Sequence, residues 1–203
     1  VAPTGIPFAK AHGLGNDFLL IEQGSMGGST PAELAVRMCD RHTGAGADGL
    51  GVLGPSSTTH ASFRIYNADG SEAGLSGNAL RCAAAWLLSR SGNPAERVAL
   101  DTRVGIRELF FLQKKESEWM LRAEIGRPSF AAGDVPFRPP RPAREPITDF
   151  PLPVGDSTMC AMIFSMGNPQ CILLVEDFEA LDWMGLGADL ERHAYFPDRA
   201  NIG

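Results

Sequence analysis

Apolar residues along this chain fall into short runs, strict alternations and one nearly unbroken block of helix length. The block lies within residues 67–90, NADGSEAGLSGNALRCAAAWLLSR. After the N-A-D-G turn and Ser76-Gly77-Asn78, only Arg81 interrupts the apolar positions before Arg90. A helix with no polar face is normally buried. The spacing predicts a central helix over residues 78–90, about 20 Å long, wrapped by sheet, with Gly92 as its αL cap and Pro94 beyond.

Shorter patterns surround that block. Residues 8–12 read as a strand, residues 13–17 as a turn, and Phe18-Leu19-Leu20-Ile21 as a buried strand. Thr30-Pro31-Ala32-Glu33 is a helix start, with a capping box and proline at the first helical position. Leu34, Ala35 and Met38 form its apolar face. Arg37, Arg41 and His42 fall toward the end favoured by cations, and Thr43-Gly44 is expected to end the helix. A strand is centred on Leu50-Gly51-Val52-Leu53, and Ser62-Phe63-Arg64-Ile65-Tyr66 alternates as a half-buried one. Residues 97–102, 106–113 and 119–125 read as strands that meander around the central helix.

Residues 131–153 are a composition break, with seven of the fifteen prolines between Pro136 and Pro153. Proline removes donors and favours extended backbone, so this stretch reads as loop or edge rather than core. It opens a second domain. Gly167-Asn168 followed by Ile172-Leu173-Leu174-Val175-Glu176 then echoes Gly15-Asn16 followed by Phe18-Leu19-Leu20-Ile21-Glu22. The echo implies two related domains, each presenting an asparagine at its cleft edge. A helix is expected between Leu181 and His193. The reading is an α+β chain with domains at residues 1–125 and 126–203. The second has no counterpart of the central-helix segment and is expected to be incomplete.

Composition narrows the partners. A net charge of −6 argues against nucleic acid as a default partner. No apolar run approaches the ~20 residues that span a bilayer, and VAPTGIPFAK lacks the apolar region of a signal peptide. Cys39, Cys82, Cys160 and Cys171 form no C-x-x-C pair, and no His/Cys cluster has zinc spacing, so no metal is expected. Reduced thiols fit a cytoplasmic protein best. Gly13-Leu14-Gly15 is not a dinucleotide fingerprint, because the third glycine is missing and a strand follows it.

The candidate chemistry sits at the start of the central helix. Helix starts carry orphan N–H groups and bind carboxylates and phosphates. Gly77 lets backbone approach a ligand closely, and Ser76 and Asn78 stand where a reactive or orienting side chain would be. The alternative is that Ser76 or Asn78 only caps a core helix.

Taken together, His12-Gly-Leu-Gly-Asn16-Asp17-Phe18, Asn67-Ala-Asp-Gly-Ser-Glu72, Gly77-Asn78 with Arg81-Cys82, Gly167-Asn168-Pro169 and Asn201 resemble the diaminopimelate epimerase family, in order and at matching separations. The resemblance covers all 203 residues. It implies two pseudo-symmetric domains, each a mostly antiparallel sheet around a central helix. It also implies a homodimer, no cofactor, an amino-acid substrate, and two-base transfer of the α-proton between LL- and meso-diaminopimelate for lysine and cell-wall precursors. Asn16, Asn67, Asn168 and Asn201 match side chains that hold the substrate's amino and carboxylate groups. Gly77 and Asn78 match its backbone donors.

The sequence departs from the family at two functional positions. The family has a cysteine immediately before Gly-Asn, where this chain has Ser76. Serine is a far weaker acid than a thiol and a poor carbon base unless activated. Cys82, six residues on, matches a non-catalytic position. Gln170 follows Asn168-Pro169 where the family usually has histidine; it can hydrogen-bond but not shuttle protons. The second family cysteine, and a Glu-Arg pair that grips substrate, match nothing in these residues, so the 203-residue chain alone is expected to be inactive. Ser76 reads as an engineered change, as a natural variant working by another route, or as the mark of a related isomerase, dehydratase or racemase. An inactive amino-acid-binding paralogue is the non-enzyme alternative.

Overall fold

A computed structural model describes residues 5–90, 95–155, 157–197 and 199–203. It divides into two compact units, Val1–Ile125 and Gly126–Gly203. Gly92 and Pro94, expected to close the central helix, lie outside the described residues.

In the first unit, β1 (Ala9–Gly13) and β2 (Asn16–Glu22) form a hairpin. Its two-residue loop, Leu14-Gly15, has φ of 56° and 88°, the positive pair that suits a tight hairpin's twist. Then follow α1 (Pro31–Cys39), β3 (Gly49–Ser56), β4 (His60–Asn67), β5 (Glu72–Ala73) and α2 (Gly77–Ser89). β6 (Arg97–Thr102), β7 (Gly105–Lys115) and β8 (Glu118–Glu124) complete it. The sheet runs β1-β2-β3-β4-β6-β7-β8, with β5 on β4. It is antiparallel except for β2 on β3 and β4 on β6.

Both faces of the central strands are covered. Phe18, Leu20, Leu53, Phe63 and Ile65 pack with Leu80, Leu87 and Leu88 of α2. Leu19, Ile21, Leu50 and Val52 pack with Leu34, Ala35 and Cys39 of α1. That double burial is why residues 18–21 read as an unbroken apolar run rather than an alternation. β4, covered less evenly, keeps its period of two. No residue of α2 between Gly77 and Leu88 is fully exposed. Each buried leucine there contributes about 1.5–3 kcal/mol.

α1 ends earlier than its pattern suggests. The capping box at Thr30 and Glu33 is present, but the helix stops at Cys39, not at Thr43-Gly44. Asp40 turns extended, and its Oδ1 collects the N–H groups of His42 and Thr43 at 2.8 and 2.6 Å. This local turn outcompetes another helical bond. Arg41 and His42 therefore lie beyond the helix.

In the second unit, β9 (Phe150–Val154), β10 (Ser157–Ser165), β11 (Pro169–Leu173), α3 (Trp183–Glu191) and β12 (Asn201–Ile202) follow in order. The sheet order is β12-β11-β10-β9. The proline-rich stretch does supply an edge strand, β9, but its exclusion from the core is wrong. Val135, Phe137, Ile147 and Leu152 are buried there with Ile163, Leu190 and Phe196. Prolines hold the chain extended, and the apolar residues between them point inward. β11 also stops short of the expected strand, ending at Leu173, and Leu174 is 69% exposed.

The internal echo extends well beyond the matching residues. Asn16 and Asn168, the caps Thr30 and Asp182, α1 and α3, and Gly49 and Asn201 are all 152 positions apart. In both units an antiparallel hairpin leads through a nine-residue helix to a parallel strand. The glycine before each asparagine has φ near +90° (88° and 90°). α3 thus corresponds to α1. Among the described residues the second unit has no counterpart of α2.

Candidate active site

Four strand ends and one helix start bring the first unit's candidate residues together. Asn16 opens β2, Gly49 opens β3 and Asn67 closes β4, with Phe18 opposite Gly49 and Gly49 opposite Asn67. The start of α2 packs directly on the β1–β2 hairpin. A Cβ added to Gly13 would meet Asn78 Cβ and Oδ1 at 3.2 Å, a tight contact that glycine avoids.

Ser76 is the N-cap of α2, and its Oγ accepts from Ala79 N at 3.2 Å. The helix start also leaves the N–H groups of Gly77 and Asn78 without carbonyl partners in the turn before them. Gly77 is not demanded by packing. A Cβ there would make only ordinary contacts, 3.6 Å from an Arg81 guanidinium nitrogen and 3.8 Å from Ile125 Cγ2. What a side chain at 77 would obstruct is approach from outside the chain. Arg81 donates to Asn78 Oδ1 and adds positive charge at a helix end that already favours anions.

The asparagines are held by their neighbours. Asn16 Nδ2 donates to Asp48 Oδ2 at 2.9 Å, and Asn78 Nδ2 reaches Asn16 Oδ1 at 3.5 Å. Arg41 bonds Asp17 Oδ1 at 2.7 Å and Asp48 Oδ1 at 2.8 Å, while Lys10 Nζ stands 3.2 Å from Asp17 Oδ2. Arg41, then Lys10 and the Asp48 N–H, hold the Asp17 carboxyl well below the usual carboxylate range. Asn67 Nδ2 donates to Ser71 Oγ at 2.9 Å, and Ser71 Oγ donates in turn to Asp69 Oδ1 at 2.6 Å.

In the second unit Gln170 and Asn168 bond each other at 2.9 Å, and Asn201 Nδ2 donates to Pro169 O at 3.2 Å. These three side chains share one end of β11 and β12, where Gln170 stands opposite Asn201. Cys82 faces the core instead. It is 4% exposed, and burial pushes its thiol up to about 11, so it stays protonated near neutrality.

Arg81, Asp48 and Arg41, which bond candidate residues or their partners, were given no site role from the pattern. The i, i+3 spacing of Asn78 and Arg81 on a helix is a signal that finds the first. Asp48 reaches Asn16 across 32 residues, and no local pattern reports it.

The family model described as diaminopimelate epimerase matches residues 8–130. A diaminopimelate epimerase of Pelotomaculum thermopropionicum is 39% identical over 197 residues, 96% of this chain and 69% of that protein. The chain belongs to the diaminopimelate epimerase family. Another family member, from Gloeothece citriformis, is 36% identical over 97% of this chain and 70% of its own length. In fold, the chain is similar to the solved structure of a predicted epimerase from Pseudomonas aeruginosa, with a TM-score of 0.58 at 19% identity, over 87% of this chain and 61% of that one. This chain therefore spans about 70% of the length of its curated relatives. Among the described residues no helix is long and apolar enough to cross a membrane, and no group of three or more His, Cys, Asp and Glu is placed to hold a metal ion.

Proposed function

We propose that this protein is a cofactor-independent epimerase acting at the α-carbon of LL- and meso-diaminopimelate, in the supply of lysine and cell-wall precursors. The reading rests on the start of α2. There a glycine that packing does not require sits between a hydroxyl at the cap and an arginine, beside Asn16. An α-hydrogen is weakly acidic, and removing it drives negative charge into the adjacent carboxylate. Fixed N–H donors at Gly77 and Asn78, with the Arg81 charge, stabilise that carboxylate most when the charge is largest. Asn16 and Asn67 offer oxygens to an ammonium group. In the second unit, Asn168, Gln170 and Asn201 are the proposed further substrate contacts.

Ser76 is the group proposed to face the carbon. Its Oγ accepts from Ala79 N–H, and among the described residues no side chain is bonded to it that would draw off its proton. It can donate a proton more readily than remove one. That favours a second reading, an amino-acid-binding paralogue with little turnover. A two-base mechanism also requires a group on the carbon's opposite face, and the residues named here supply one face. A homodimeric state and a cytoplasmic location are carried over from the family, and sedimentation tests the first.

The deciding experiment is proton NMR of LL-diaminopimelate in D₂O with the protein as its gene encodes it, as Ser76 and as Ser76→Cys. Deuterium at the α-carbon with meso product from the parent means a working epimerase. Exchange from the cysteine form alone means a site disabled at one residue. Binding without exchange from either supports the paralogue. Neither binding nor exchange from folded protein refutes the diaminopimelate assignment and points to a related one-base isomerase, dehydratase or racemase.

A further inference from the structure

Lys10, Asp17, Arg41 and Asp48 form one bonded cluster where β2 and β3 begin. The second unit repeats the hairpin, helix and parallel strand without any of these charges. Met162, Pro169, His193 and Ala200 stand at the positions 152 residues on. The framework therefore does not depend on them.

What the cluster does is set the sense of one amide. A carboxylate can only accept, so the atom of Asn16 that faces Asp48 Oδ2 at 2.9 Å must be Nδ2. Asn16 Oδ1 is then turned toward the start of α2. Asp48 is itself locked. Arg41 takes its other oxygen, and the N–H groups of Asp17 and Asp48 each bond the other residue's carboxylate at 3.0 Å. Asn67 shows the same chemistry built differently. Ser71 donates its hydroxyl to Asp69, so its oxygen must accept from Asn67 Nδ2, which leaves Asn67 Oδ1 as that amide's acceptor.

We propose that Asp48, clamped by Arg41, is a positioning residue that fixes the Asn16 amide with its carbonyl toward the start of α2, so that this point of the site takes a ligand's ammonium group and not a carboxylate. The proposal rests on the amino-acid reading of the site. Without the carboxylate the amide is free to turn over and offer N–H to an ammonium, which repels it.

The test uses ¹⁵N-labelled protein and calorimetric titration with LL-diaminopimelate. Asn16 side-chain resonances, assigned by their loss in Asn16→Asp, are expected at a carboxylate-bonded position in the parent and at a free-amide position in Asp48→Asn. The Kd for LL-diaminopimelate is expected to rise about tenfold or more in Asp48→Asn, as for loss of a hydrogen bond involving a charged group. The double variant Asn16→Asp/Asp48→Asn rebuilds the donor–acceptor pair with an oxygen still toward the start of α2, and it is expected to recover most of the affinity. A merely structural role predicts no such rescue. Arg41→Gln leaves Asp48 in place but unclamped, and a partial shift of the Asn16 resonances is expected even if Asp48→Asn folds poorly. Unchanged amide resonances in both variants, or a double variant no better than Asp48→Asn, overturns the proposal. A parent that binds no diaminopimelate removes the epimerase reading and the ligand half of this one, while the amide resonances still decide the geometric half.

Discussion

Replacing Ser76 separates its two roles, because one is energetic and the other chemical. As N-cap it sits at φ −141°, ψ 116° and accepts one of the helix's orphan N–H groups. Alanine cannot accept, so Ser76→Ala is expected to cost about 1 kcal/mol, within a range of about 0.5–2. Ser76→Gly should cost only a few tenths. Sulfur is a weak acceptor, so Ser76→Cys should fall between serine and alanine. Serine is the better cap and cysteine the better base, so a thiol here would trade some stability for activity, as functional sites often do. The assay must read the first unit alone. Trp86 and Trp119 lie in that unit and Trp183 in the other. Trp183 is 52% exposed and stacks on Phe178, so Trp183→Phe should leave the first unit undisturbed. Urea unfolding followed by tryptophan fluorescence in that background should then show a lower midpoint for Ser76→Ala, with an unchanged slope. An alanine variant as stable as the parent would refute the capping argument and leave Ser76 free of a structural role.

Other consequences follow from the same packing. Ellman's reagent should find one fast thiol, Cys160, in native protein; Cys39, Cys82 and Cys171 are buried and pushed up to about 11, and a second fast thiol would contradict that burial. Asp17 is depressed chiefly by its bond to Arg41. Its stabilisation is therefore fully present above the unfolded carboxylate pKa of about 3.9 and lost progressively as pH falls from there through the lower folded value. Asp17→Asn should accordingly narrow the difference between urea midpoints at neutral pH and at about pH 3.5 relative to the unfolded carboxylate value, and an equal difference in parent and variant would sink this account. Leu80→Ala should cost about 2–5 kcal/mol in the first unit, since Leu80 is fully buried in α2. A Trp183-only protein carrying the same change should show the second unit's transition unmoved, and a shifted one would mean that the units do not unfold separately.

Much of this molecule was legible without coordinates because its signals are local. The capping box at Thr30 and Glu33 requires only four residues, and it formed as read. The strand expected at residues 97–102 coincides with β6 (Arg97–Thr102). The central helix, expected over residues 78–90, spans Gly77–Ser89, and of the two possible caps, Ser76 and Asn78, it is Ser76 that caps it. The Gly-Asn echo, a few residues long, announced a repeat that the structure extends through a helix and a strand. Motifs that recur at fixed separations also carried the family resemblance.

Tertiary structure decided whatever depends on residues far apart in the chain. Periodicity reports which face of a strand is apolar, but not which strand lies beside it. The parallel pairing of β2 with β3 and of β4 with β6 therefore had no local signature. The proline-rich segment entered the core because β10 and α3 gave its intervening apolar side chains a surface to cover. Arg41 read as a cation serving the end of α1; once Asp40 ended that helix, two carboxylates offered it better partners. The orientation of Asn16 was set last, by an aspartate 32 residues away, because an amide looks the same in sequence whichever way its neighbours turn it.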